Sequence, residues 1–295
     1  MNRIDYIRQE EKKYHDLCYE QYKLFETGSW LYKPVKTVMD MMDYFERQNN
    51  LQVLDLGSGV GRNSIPIAQK IKNCSGTVTC VDLLHSALTK LQVYSKVHGV
   101  FGVIKTEQIA IENYDIPPNT YDYIVAVSSL EHVKSEEDLT NVLHSMKKGT
   151  KNGGINCLII NSNILEIDLK TNEELEALIE INLPTEEMIR LLKSIYKGWK
   201  EVKVEIKELA FDIVRNERHI QLKTNAITFV VQQYSYKKRR IFLSDSFLLY
   251  EICIFKYLRN KTKKPCFDVV YLKHGSYSRY YKTTQLLREF INWKK

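Results

Sequence analysis

Over 295 residues the chain is 44% hydrophobic and 27% charged, the balance of a soluble globular protein with room for one well-packed core and an appendage. Its net charge of +7 is uneven, because Lys237 to Lys295 hold 15 Lys and Arg against 4 Asp and Glu while the rest of the chain is slightly acidic, so the basicity belongs to the tail. The opening MNRIDYIRQEEKKYHD has no apolar signal-peptide core, and the longest apolar run, Phe247 to Phe255, is interrupted by Glu251 and falls short of the roughly 20 residues of a bilayer span, which points to a cytoplasmic protein.

In chain order, Ile4, Ile7, Tyr14, Leu17, Cys18 and Leu24 recur at helical spacing over residues 3 to 26, and a second helix follows Pro34 through Val35, Val38, Met41, Met42 and Phe45. Then come a strand at 51 to 56, a helix from about Asn63 to Lys72, a strand at 77 to 82, a helix from Ser86 to His98 and a strand at 100 to 107. A strand at 121 to 129, a helix from Ser135 to Met146 and a strand at 154 to 162 complete five strands alternating with helices, the pattern of a parallel sheet covered on both faces. A helix at Thr185 to Tyr196 leads to strands at 201 to 211 and 226 to 233, whose short link VRNERH suits an antiparallel excursion. The six cysteines (Cys18, Cys74, Cys80, Cys157, Cys253, Cys266) include no C-x-x-C pair and read as buried thiols, with no metal site expected.

The first strand runs into QVLDLGSGVGRNSI. Gly57, Gly59 and Gly61 stand at alternate positions behind Asp55, where a parallel sheet binds ligands at the carboxyl end of its first strand. Each glycine there can take positive φ or present bare backbone to a ligand, and the following helix aims free N–H groups outward. Nicotinamide and flavin sites use the same corner through G-x-G-x-x-G, but the third glycine of that fingerprint falls here on Arg62. A carboxylate just ahead of the loop also disfavours a pyrophosphate and favours a cationic or ammonium-bearing ligand.

Residues 1 to 236 therefore resemble a class I S-adenosylmethionine-dependent methyltransferase of the small-molecule type, with VLDLGSGVGR as the family's first motif. The resemblance continues at Asp82 in VTCVDLLHSAL, placed where the family's acid holds both ribose hydroxyls. It implies a doubly wound, Rossmann-like seven-stranded sheet, mostly parallel with an antiparallel last strand, and S-adenosyl-L-methionine as cofactor. Gly57, Ser58, Gly59 and Gly61 would bind that cofactor with Asp82 and Leu83, and Asp55 would orient its methionine end. Beside the adenine the matching pair is Ala110 and Ile111, so the usual acid is missing; Ile111 offers an apolar wall and a backbone N–H, and Gln108 or Glu112 stands near enough in sequence to compensate.

In VSSLEHVKSEEDL, Ser128 maps beside the cofactor's methionine portion, while Glu131 and His132 map toward the acceptor. Methyl transfer requires alignment of nucleophile, methyl and sulfur, and a base only where the nucleophile carries a proton; His132 has the intrinsic pKa for that work, although capping or packing the next helix is an equally ordinary use. Trp30 and Tyr32, in GSWLYKP between the N-terminal helices, are candidates to wall the substrate site, or simply to pack on the core. The stretch ELAFDIVRNERHIQLKTNAITFVVQQ resembles the final strands of TehB-like methyltransferases and their neighbours, which favours a small-molecule acceptor.

The domain reading is a helical lid at 1 to 50, a methyltransferase domain at 51 to 236 and a basic extension at 237 to 295. In the extension, Lys237-Lys238-Arg239-Arg240 precedes a Ser244-capped segment and a tyrosine- and lysine-rich stretch. Cations interleaved with aromatics suit RNA, and an apolar face suits a subunit or membrane surface, but a basic patch without a nucleic-acid motif favours a plain appendage. The alternatives kept open are an RNA or protein methyltransferase docking through the tail, a non-catalytic cofactor-binding protein, and an oxidoreductase.

Overall fold

The computed structural model describes residues 2–215 and 218–234, and beyond them four strands by their pairing. The chain divides into two units, residues 1–233 and 234–295. In the first unit the main sheet has the order β3-β2-β1-β4-β5-β8-β7, built from β1 (Gln52–Leu56), β2 (Thr77–Asp82), β3 (Ile104–Gln108), β4 (Tyr121–Val127), β5 (Thr150–Asp168), β7 (Lys200–Arg215) and β8 (Arg218–Gln232), with a two-residue β6 (Glu174–Leu175) beside β5. Strands β1 to β5 pair in parallel, and β8 runs antiparallel to both β5 and β7. This is the expected doubly wound sheet with an antiparallel excursion.

Period-two alternation explains the three layers. On β1, Val53 faces one core and Leu54 and Leu56 the other; on β4, Tyr123 and Val125 oppose Ile124 and Ala126. The first core is closed by α2 (Lys36–Met41), α3 (Ser64–Ile71) and α4 (His85–Val97), the second by α5 (Glu136–Gly149) and α6 (Thr185–Ile195). Both faces of the central strands are therefore buried, which is why they read as continuous apolar runs. In α3, Pro66 falls in the first turn, where no intrahelical N–H donor is needed, and α5 starts at Ser135, whose hydroxyl accepts the Asp138 N–H at 3.1 Å.

Three expectations shift. The strand expected from 100 begins at Ile104, because Val103 N–H closes a turn onto the Val100 carbonyl (2.9 Å). The strand expected at 154 to 162 extends to Asp168, and the VRNERH link is largely strand, since β7 and β8 remain paired from Gln232 opposite Lys200 to Arg218 opposite Arg215. Inside the stretch read as capped at Ser244, Glu251–Phe255 is a strand: β9 (Lys237–Arg240), β10 (Glu251–Phe255), β11 (Val269–His274) and β12 (Tyr277–Lys282) form an antiparallel sheet in the order β12-β11-β10-β9, and Ser244 itself lies outside the described residues. Among the described residues no helix is long and apolar enough to cross a membrane.

The element that matters most for function is the first helix, α1 (Arg3–Gln21), started by Asn2, whose side chain accepts the Asp5 N–H at 2.8 Å. It lies across the carboxyl ends of the parallel strands. Arg3 donates to the Ala177 and Ile179 carbonyls beyond β5, and Arg8 reaches Glu112 beyond β3 and the His132 carbonyl beyond β4. Asp16 takes the Ser86 hydroxyl beyond β2, and the Tyr19 hydroxyl lies over Gly59 beyond β1.

Candidate active site

The loop after β1 has the conformation its glycines were expected to allow: φ is +75° at Gly57, +52° at Gly59 and +93° at Gly61. The reasons for glycine differ along it. A Cβ at Gly57 would lie 2.3 Å from Ser129 Cβ, and one at Gly61 would lie 2.3 Å from Leu91 Cδ1, so both positions are closed by the protein's own packing. Only at Gly59 would the Cβ point at the covering helix, 3.1 Å from the Tyr19 hydroxyl. Gly59 is therefore the bare-backbone position that faces the cleft.

Asp82 ends β2 against this loop. Its Oδ2 accepts the Gly59 N–H (2.8 Å) and its Oδ1 the Leu84 N–H (2.9 Å), while burial raises its pKa against the pull of those two bonds. A carboxylate offers about four lone-pair positions, so two acceptor positions remain for hydroxyl donors. Leu83, next in the chain, is exposed. Asp55 is placed differently: it is 1% exposed, sits beneath the loop and accepts the hydroxyl of Ser64, the first residue of α3, and burial lifts its pKa to about 6. It touches the scaffold of the loop and not its open face.

The end of β4 supplies the other wall. Ser128 is exposed and left-handed, at φ +49°, with its N–H on the Ile159 carbonyl; a non-glycine residue held there stores strain of the order of 1 kcal/mol. Glu131 turns inward, fully buried, its Oε1 accepting both the backbone N–H and the side-chain Nδ2 of Asn161 on β5 (3.1 and 2.6 Å). His132 sends Nδ1 to Glu180 Oε2 at 3.0 Å, and its side chain stays 31% exposed while that of Glu180 is 1% exposed. Burial alone would lower the imidazole pKa, but Glu180, Glu11 and Glu131 outweigh it and raise it to about 9.

At the β3 end, Ile111 lies in a helical turn packed on the second core, Gln108 Oε1 meets His85 Nδ1 at 3.0 Å, and Glu112 is committed to Arg8 at 2.8 Å. Trp30 packs edge-on to His15 and Tyr19, with the Arg62 guanidinium 5.1 Å over its ring and donating to its carbonyl. That brings Trp30 and Arg62 to the glycine loop. Tyr32 is exposed under Lys33 and is not brought to this cluster.

Sequence reasoning missed the α1 residues Arg8, Glu11, His15 and Tyr19, and also Glu180. The α1 positions recur at 8, 11, 15 and 19, one helical face, and a polar stripe of that spacing was the available signal. Glu180 had none, since it lies in an irregular segment fixed by the Ile181 N–H on the Glu131 carbonyl at 3.1 Å. The buried side-chain atoms without a hydrogen-bond partner among the described residues are Arg8 Nε, His15 Nδ1, Ser58 Oγ and Glu131 Oε2, and all four lie at this one edge. Orphaned donors and acceptors gathered at one place suit a polar ligand. Of these, Arg8 Nε faces Glu180 at 3.5 Å and Ser58 Oγ lies by the Cys80 thiol; His15 Nδ1 and Glu131 Oε2, with the acceptor positions left on Asp82 and the bare backbone of Gly59, fit a nucleoside carrying an amino acid.

A sheet of this order, with a glycine turn after its first strand and an acid closing its second, defines the class I methyltransferase fold. Residues 53–154 of the chain match the family described as a methyltransferase domain. Among solved structures it is similar to a candidate methyltransferase from Bacillus halodurans (12% identity, 68% of this chain and 100% of that one, TM-score 0.51). It is also similar to the YcgJ protein of Bacillus subtilis (11% identity, 68% and 100%, TM-score 0.50). TehB from Haemophilus influenzae matches at 20% identity with a TM-score of 0.49 over 68% of this chain and 62% of that one, so the match spans less than two thirds of TehB. No curated protein matches the chain.

Proposed function

We propose that the chain is an S-adenosylmethionine-dependent methyltransferase, and that the methyl group goes to a small molecule held between α1 and the ends of β4 and β5. The observation that supports this reading is the course of α1, which bridges the segments following all five parallel strands. A polymer could not lie along the strand ends without displacing that helix. On this reading residues 1 to 50 act as a cover over the site, 51 to 236 as the transferase domain and 237 to 295 as an extension outside the chemistry.

On the donor side, Gly57, Gly59 and Gly61 shape the loop, Ser58 continues it between two of these glycines, and Asp82 takes the ribose hydroxyls. Leu83 and Ile111 wall the base, Ser128 borders the methionine portion, and Asp55 supports the loop from below through Ser64. Trp30 shields the sulfonium side through the His15–Tyr19 cluster. When bound, the cofactor supplies a methyl group already activated on a sulfonium, so the protein's work is alignment, exclusion of water and disposal of any acceptor proton. The free thiols of Cys18, Cys74, Cys80 and Cys157 suit a reducing, cytoplasmic setting.

The test is a calorimetric titration with S-adenosylmethionine on the unmodified protein and on Asp82→Ala, followed by transfer of a labelled methyl group to low-mass and macromolecular fractions of a cell extract. Binding that Asp82→Ala abolishes, with label in the low-mass fraction, is expected. Label confined to RNA or protein would refute the small-molecule assignment, and unchanged affinity in the variant would refute the role of Asp82.

A further inference from the structure

We propose that Glu180 and His132 form a proton-accepting pair, Glu180 positioning the imidazole and His132 Nε2 taking the proton, and that the acceptor is a small molecule whose nucleophilic atom, a hydroxyl or thiol, carries a proton. The inference rests on the small-molecule reading above for the size of its acceptor, and on geometry for the pair itself.

Nδ1 of His132 is engaged by a carboxylate whose side chain is 1% exposed, at 3.0 Å, while the His132 side chain itself stays 31% exposed. With Nδ1–H directed at Glu180, the neutral ring carries its lone pair on Nε2. Both halves of the pair are held from several sides. Arg8 lies 3.5 Å from the other Glu180 oxygen and donates to the His132 carbonyl at 3.2 Å, and Ile181 N–H on the Glu131 carbonyl ties the Glu180 segment to the helical turn bearing His132. A histidine that merely capped α5 would have no use for a buried carboxylate supported in this way, and the cap of α5 is in any case Ser135.

The charged and titratable groups facing His132 are Glu180, Glu131 on its own turn, Glu11 and Arg8 from α1, and Asp82 across the cleft. The carboxylates predominate, so the ring is an imidazolium at neutral pH and becomes a base as pH rises toward about 9. A base of that strength matches acceptors with a weakly acidic proton, near 8.5 for a thiol and 10 for a phenol. A tertiary amine or thioether has no proton to give and would leave the pair without a task. In the step, the acceptor heteroatom forms a bond to the methyl carbon as the carbon–sulfur bond breaks with its electron pair remaining on sulfur. The acceptor proton passes to Nε2, so the sulfonium's positive charge ends as an imidazolium beside Glu180, which releases the proton to solvent.

The test uses the full chain with isotopically labelled histidine, the His132 signal being assigned by its loss in His132→Asn. In the unmodified protein His132 should titrate near 9 with its proton on Nδ1 when neutral, and in Glu180→Gln the midpoint should fall toward 6.5. With catechol as probe, kcat/KM should rise along a limb at the same pH, His132→Asn should lose about 10²- to 10⁴-fold, and Glu180→Gln should move the limb down. A titration unaffected by Glu180→Gln, or transfer to N,N-dimethylaniline and not to catechol, would overturn the proposal. Label found only on macromolecules would overturn the small-molecule reading and the acceptor class with it, while the titration would still decide the pair.

Discussion

Replacing Gly57 by alanine tests how the glycine loop is built. At φ +75° an alanine is left-handed, which costs about 1–2 kcal/mol. Its Cβ would also lie 2.3 Å from Ser129 Cβ and 2.9 Å from Ser129 Oγ. Ser129 is 6% exposed and donates its hydroxyl to the Leu56 carbonyl at 2.8 Å, so it cannot turn aside without losing a buried bond. Overpacking of this kind adds about 1–3 kcal/mol, for a total near 2–5 kcal/mol. Gly99 is the matched control: φ is +65° with nothing within 4 Å of an added Cβ, so Gly99→Ala should cost only the backbone share, about 1–2 kcal/mol. Urea unfolding of the ligand-free proteins followed by circular dichroism measures both, provided the m-values agree. Equal losses in the two variants would refute the steric part of the argument and leave the loop explained by backbone conformation alone.

Asp55→Asn should change how stability varies with pH. Because the native carboxyl titrates near 6 against 3.8 when free, the folded state binds its proton more tightly; that contribution is complete below about pH 3.8 and is lost as pH rises through 6. Relative to the unmodified protein, the asparagine variant should gain about 2 kcal/mol between pH 4 and pH 7, as read from urea midpoints across that range; parallel curves would contradict it. Arg8→Met leaves Glu112 and Glu180, with side chains 4% and 1% exposed, short of a partner, a deficit of about 3–5 kcal/mol if the helix stays in place. Release of α1 is the cheaper response, so hydrogen exchange should accelerate across Arg3–Gln21 and leave β1 and β4 unchanged. Uniform acceleration would show that Arg8 supports the whole fold. The titration with Asp82→Ala and the behaviour of Glu180→Gln complete the set.

The central sheet was legible because its strands are buried on both faces and announce themselves as apolar runs between amphipathic helices. The meeting of the Gly57–Gly61 loop with Asp82 was legible because both are fixed by one βαβ unit, within which sequence spacing is spatial spacing; the turn of Asp55 under the loop onto Ser64 was not. The far halves of β5, β7 and β8 were not legible. There the strands form a ribbon with polar alternation, joined by backbone pairing and by Arg215 on Glu166, neither of which hydropathy records. Glu180 and Arg8 were hidden for a related reason: their partners lie 48 and 104 residues away in the chain, and only the folded topology brings them together.

The course of α1 has a consequence for exchange. Nineteen residues at 1.5 Å each make a rod about 28 Å long, and the chain just beyond it turns through left-handed Phe25 and Gly28. A stiff rod pivoting at that end moves least over the glycine loop, where Tyr19 sits, and most at Arg3, over the end of β5. Because Arg3 is bonded to the Ala177 and Ile179 carbonyls, the rod is latched at its far end as well, and access there is set by how readily those two bonds part.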